Sequence, residues 1–203
     1  MEMKIFVFGD SHAGKFGADL RFTLCGPPAP TAYGLANEKN KSESLFLLRQ
    51  MLHEVEQNDI ILFSLGEIDC RVHVFRQHVL TGKSYSEICA GIITRYGRIL
   101  LAVRNDNNCE IAVLDVPPAV KQGNEYEYDF YGSRNERASI AEEFNSQLET
   151  FCKENGVCFV KLHPHISDEW GWLKEEYSVD DVHVSEEVVP IVVQELQKCF
   201  PNL

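Results

Sequence analysis

Nowhere in this sequence do two cysteines form a C-x-x-C pair, and its seven cysteines are odd in number and scattered. That pattern predicts free thiols in a reducing, cytoplasmic compartment rather than a disulfide framework, and it argues against structural zinc. No cofactor and no metal are expected. Long hydrophobic runs are missing as well, none approaching the roughly 20 residues that cross a bilayer. The opening "MEMKIFVFGD" is too short and turns acidic too soon for a secretory signal. Basic residues are scarce: 19 Lys and Arg stand against 31 Asp and Glu, a formal net charge of -12. Such a balance disfavours unspecific binding to nucleic acid or anionic membrane and suits a neutral or weakly charged small-molecule or glycan partner. Repeats, low-complexity tracts and linkers are absent too, so the 203 residues are expected to form a single domain, 1–203.

What is present is an alternation. Short apolar runs rich in β-branched and aromatic residues recur at Lys4–Phe8, Ile60–Leu65, Ile111–Val116 and Val157–Leu162, with a weaker one at Arg21–Cys25. They read as strands covered on both faces. Between them lie helical stripes: Leu45, Leu48, Leu52 and Val55; then Ile88, Ile92, Tyr96, Ile99 and Val103; then Ile140, Phe144, Leu148 and Phe151. "SYSE" (Ser84 to Glu87) and "SRNE" (Ser133 to Glu136) carry the capping-box signature, and Gly156 closes the third helix. A fourth helix follows Ser185 toward Phe200 and becomes regular near Pro190. Strands alternating with helices of this length predict an α/β fold, a three-layer α/β/α sandwich with a flavodoxin-like parallel sheet of order 2-1-3-4-5. The polar, aromatic segment 121–136 reads as a long surface loop.

Ligands of such sheets bind beyond the carboxyl ends of the strands. Here those ends carry "GDSH", "CGPP", "GEIDCR" and "DVPP", and a late "VDDVHVS" can join them. "FGDSHAGKF" is either an ordinary strand-to-helix loop or a sharp turn that presents Ser11 as a nucleophile. A serine becomes nucleophilic only when an imidazole takes its proton and a carboxylate holds that imidazole. The order Ser, Asp, His along the chain matches one known solution of that geometry.

"GDS" at Gly9-Asp10-Ser11 and "DDVH" at Asp180-Asp181-Val182-His183 resemble the first and last blocks of the SGNH/GDSL-type hydrolases, with the expected α/β pattern between them. The resemblance implies Ser11 as nucleophile, His183 as general base and Asp180 as its orienting carboxylate. It also implies an oxyanion hole built from the Ser11 N–H and a glycine after strand two, where Gly26 and Gly34 compete. The third block departs from the family pattern. Where G-x-N-D is expected the chain has "GEID", so Ile68 takes the place of the asparagine donor. "GEIDCR" itself resembles a variant found among proteins linked to glycan and polysaccharide modification. Glu67, Asp69 and Arg71 read either as substrate contacts or as an ion-pair cluster that fixes the loop. Asp10 caps or orients the turn, and His12 lines the pocket or faces solvent. Cys70 reads as core packing, His163 and His165 as loop residues rather than a metal pair, and Trp170 and Trp172 as a sugar platform or a core edge. The expected function is a serine esterase removing an O-acyl, above all O-acetyl, group from a carbohydrate or similar substrate. An O-acyltransferase and a non-catalytic glycan-binding module are the alternatives.

Overall fold

The computed structural model describes residues 3–25, 30–35, 43–120 and 129–203. Strand β1 (Ile5–Gly9) leads through a 3₁₀ turn (Ser11–Phe16) to β2 (Phe22–Leu24), then to α1 (Ala32–Leu35) and α2 (Glu43–Leu52). β3 (Ile60–Ser64) is followed by a π-helical turn (Asp69–His73), α3 (Val74–Thr81) and α4 (Tyr85–Asn107). β4 (Glu110–Leu114), α5 (Arg134–Asn155), β5 (Cys158–Val160), α6 (His163–Ile166) and α7 (Val189–Cys199) complete the order. The five strands form one sheet in the order β2-β1-β3-β4-β5, as the alternation predicts. Every pairing is parallel.

Successive strand residues point to opposite faces, and both faces are apolar. Phe6, Phe8, Ile61, Phe63, Ile111 and Val113 join the core shared with α2, α4 and α5. Ile5, Val7, Ile60, Leu62, Ala112 and Leu114 join a second core closed by α7 and the 3₁₀ turn. Both capping boxes are formed, Ser84 with Glu87 at the head of α4 and Ser133 with Glu136 at the head of α5. Gly156 ends α5 with a left-handed φ of 61°. Pro190 lies in the first turn of α7, where its missing N–H has no intrahelical partner to lose. α3 escapes a periodicity argument because Val79 and Leu80 on it are exposed, which blurs the apolar stripe.

The cysteine expectation needs correction. Cys158 and Cys199 form a disulfide that ties β5 to the end of α7. The two residues stand 41 positions apart, and only the packing of α7 over the sheet brings their Cα atoms to 6.0 Å. Motif spacing cannot see such a pair, so scattered cysteines do not by themselves imply a reducing compartment. Cys25, Cys70, Cys89, Cys109 and Cys152 are free. Among the described residues no helix is long and apolar enough to cross a membrane.

Candidate active site

β1 ends in a crowded turn. A Cβ on Gly9 would run into the Ser64 carbonyl of the neighbouring strand, so only glycine lets β1 and β3 stay paired up to the turn. The Asp10 N–H donates to the Ser64 carbonyl at 3.0 Å. The Asp10 side chain then caps the 3₁₀ turn by accepting the His12 N–H at 3.0 Å. Ser11 opens that turn and is exposed, with its backbone N–H among those that have no intrahelical acceptor.

The second half of the site comes from the far end of the chain. Residues 177–185 fold back on themselves: the Val179 N–H donates to the His183 carbonyl at 3.1 Å and the Ser185 N–H to the Tyr177 carbonyl at 2.7 Å. Inside this bend Asp180 accepts the N–H groups of Val182 at 2.7 Å and His183 at 2.6 Å through one oxygen, an Asx-type turn. Its other oxygen lies 2.7 Å from His183 Nδ1. His183 Nε2 lies 2.8 Å from Ser11 Oγ. A carboxylate only accepts, so Nδ1 carries the proton and Nε2 is left to accept the serine hydroxyl. Burial works to raise the Asp180 carboxyl, yet the hydrogen bonds from His183 and Val182 outweigh it and hold the group down at about 2. Ser11, His183 and Asp180 thus meet, although Ser11 and the imidazole stand 172 positions apart.

The remaining candidates fall into place less uniformly. Gly26 lies outside the described residues. Gly34 sits in α1 with its N–H donated to Thr31 Oγ1 at 2.8 Å, so that amide is already engaged. Ile68 occupies the position before the π-helical turn. Gly66 takes a φ of 123°, and a Cβ there would come within 2.7 Å of Val116. Glu67 holds Arg71 through two oxygens, at 2.6 and 3.2 Å, and Arg71 also donates to the Asp129 carbonyl at 2.6 Å. The rings and cations continue this clamp: the guanidiniums of Arg71 and Arg137 both lie over the Phe130 ring, 5.4 and 4.9 Å from its centroid. Asp69 is 0% exposed and accepts the N–H groups of Ala32 and Tyr33, tying the π-helical turn to α1. Burial pushes its carboxyl up to about 7 despite those two bonds. "GEIDCR" therefore braces the loops around the serine with its own charges. Burial also drives the Cys70 thiol well above its ordinary value, which suits packing rather than nucleophilic use.

His163 and His165 turn to different partners, the Val116 carbonyl at 2.9 Å and Glu195 at 3.0 Å. Trp170 is exposed, and its ring lies 6.2 Å from that of Trp172. One buried and one half-buried group escape sequence reasoning. Asp115, at the end of β4, accepts the Leu162 and His163 N–H groups, and burial raises it to about 8. Asn145 pairs with both backbone groups of Val116 from the middle of α5. Only "DVPP" after the fourth strand hinted at the first, and no local signal marks the second.

No family model matches the chain, and no curated protein matches it. Solved structures do. A carbohydrate acetylesterase from Sinorhizobium meliloti superposes with a TM-score of 0.62 at 13% identity, covering 98% of this chain and 99% of the other. An aryl esterase from M. smegmatis gives 0.61 at 15% identity, covering 100% of each chain. A GDSL-like lipase from Bacteroides thetaiotaomicron gives 0.60 at 16% identity, covering 98% of this chain and 89% of that one. The fold is that of the SGNH/GDSL hydrolases. Within that fold, the serine after the first strand and the histidine of the last bend lie at hydrogen-bond distance here.

Proposed function

We propose that the protein is a serine esterase that removes a short acyl group, acetyl above all, from a hydroxyl of a carbohydrate. The observation that carries this reading is the unbroken chain from Ser11 Oγ through the His183 ring to the Asp180 carboxylate. His183 takes the serine proton as Oγ attacks the ester carbonyl, and Asp180 steadies the imidazolium that forms. The Ser11 N–H, the first of its turn, supports the developing oxyanion together with a second donor from the segment after β2. The imidazolium then returns its proton to the departing alcohol. Water, activated by the same nitrogen, clears the acyl-enzyme.

The carbohydrate part of the reading rests on the space beside Asp180. A cleft of about 510 Å³ opens there, walled by Arg134, Trp172 and Lys174 and edged by Asp168, Glu175 and Asp181. Arg134 lies 4.2 Å over the Trp172 ring, a flat cationic platform. Donors and acceptors of both signs around one aromatic wall suit a neutral polyol better than a lipid tail. The acetylesterase among the structural neighbours points the same way.

The experiment compares acetate release from p-nitrophenyl acetate and from acetylated oligosaccharides, for the wild type and Ser11→Ala. Release by the wild type alone, with a serine-directed phosphonate attached at Ser11, supports the esterase. Acetyl found on an added sugar acceptor would move the assignment to acyl transfer. Glycan binding without turnover would leave only a binding module.

A further inference from the structure

The residue after Ser11 has no role in the scheme above, yet it is buried inside the site. His12 is 4% exposed. Its Nδ1 lies 3.1 Å from Asp10 Oδ1, and its Nε2 lies 3.2 Å from the Val182 carbonyl oxygen. Carboxylate and carbonyl oxygens only accept hydrogen bonds, whereas a neutral imidazole donates from one nitrogen alone. A neutral ring would therefore set a lone pair against a lone pair inside the protein, a clash that burial makes costly. Val182 stands between Asp180 and His183, so whatever holds its carbonyl holds the bend that carries the general base.

We propose that His12 is a standing imidazolium, protonated on both nitrogens at neutral pH, that bolts the Val182 carbonyl to the Asp10 turn and so keeps His183 aimed at Ser11. It is a positioning residue, and the proposal rests on the reading of His183 as general base. The charges around it agree. Asp10 faces it from its own turn, Glu67 from the segment after β3, and the His183 ring from the last bend, with centroids 5.2 Å apart. Arg71 draws on Glu67 from the other side. Burial alone would lower the His12 pKa, but Asp10 by hydrogen bond and charge, then Glu67 and the Val182 carbonyl, raise it above 6.5.

Two consequences separate this role from mere packing. Replacing the ring by a neutral group leaves the Asp10 charge uncompensated beside the general base. The acid limb of the rate profile then moves to higher pH, by roughly half to one pH unit for a charge at this separation. The loosened bend also misaligns His183, lowering kcat by about ten- to a hundredfold with KM little changed.

The direct test is ¹⁵N NMR of the wild-type protein labelled at histidine, with the His12 ring assigned through its own backbone. Protons on both nitrogens at pH 7, lost at lower pH in Asp10→Asn than in the wild type, support the proposal. One bare nitrogen at pH 7 overturns it. The second test is the pH profile of kcat/KM for His12→Gln on p-nitrophenyl acetate, and an unmoved acid limb with kcat intact overturns the positioning role even if the variant is less stable. Should the wild type show no esterase activity while His12 is doubly protonated, the reading of Ser11 and His183 fails and the charged strut remains.

Discussion

Two adjacent carboxylates precede the imidazole at the end of the chain, and one turn decides between them. Asp180 folds back so that one oxygen takes two backbone N–H groups and the other faces His183 Nδ1. Asp180→Asn is therefore expected to cut turnover by roughly two to four orders of magnitude, because an amide facing Nδ1 favours the wrong tautomer. Asp181→Asn should stay within about tenfold of wild type. Steady-state rates on one chromogenic acetate ester rank the pair, and the reverse ranking would place the orienting carboxylate one residue later. Ser11→Ala is expected to lose at least about a thousandfold in kcat while keeping its melting temperature, since it removes one exposed hydroxyl from a turn held by Gly9, Asp10 and Ser64. The half-open setting of Asp180, whose side chain is 41% exposed, means its role is orientation rather than stability.

At the scale of elements, "GEIDCR" does its work through the π-helical turn it opens. Arg71 is enclosed with Glu67 and reaches across to the Asp129 carbonyl, so it joins the turn after β3 to the segment that enters α5. Arg71→Ala strands a buried carboxylate and is expected to lower stability by about 3 kcal/mol, read as a fall in melting temperature. Adding Glu67→Gln to that variant should recover part of the loss, because the stranded charge goes with it. A drop in kcat without any loss of melting temperature would instead make Arg71 a substrate contact. For comparison, Ser133→Ala removes only a cap at the head of α5 and should cost about 1 kcal/mol. The gap between those two effects measures how much more the third block does than an ordinary helix start.

For the whole molecule, buried carboxyls set an uncommon response to pH. Burial raises Asp69 to about 7 and Asp115 to about 8, both from an ordinary 3.8. The folded protein thus holds these protons more tightly than the unfolded chain. Their contribution to stability is full below about pH 4 and is lost as pH rises through about 7 and about 8. His12, raised from 6.5, acts with the same sign and loses its contribution as pH climbs through its folded value. Melting temperature should fall between mildly acidic and alkaline pH, and Asp69→Asn, whose amide oxygen can still accept from Ala32 and Tyr33, should flatten that fall. An unchanged slope in the variant would show that the carboxyl does not titrate there. The disulfide between Cys158 and Cys199 acts independently of pH. Closing a loop of this length contributes about 4 kcal/mol in the chain-entropy account, so Cys199→Ser should melt well below the wild type.

The parts of this protein that the sequence alone determined are those written in neighbouring residues. Short continuous apolar runs, helical stripes and two capping boxes specified the strands, the long helices and the parallel order, since each signal is complete within a few positions. "GDS" and "DxxH" were legible for the same reason, being short turns whose chemistry is local. What only the tertiary structure decided are the contacts that depend on how crossovers stack. His12 meets the Val182 carbonyl across 170 positions, and its spacing from any partner carries no hint of that. Asp69 could have faced a substrate as readily as Ala32 and Tyr33, until α1 packed against the π-helical turn. Cys158 and Cys199 became partners only because α7 crosses the end of β5. A side chain's local preference is set by its own backbone, but its partner is set by where the sheet and its covering helices bring distant chain together.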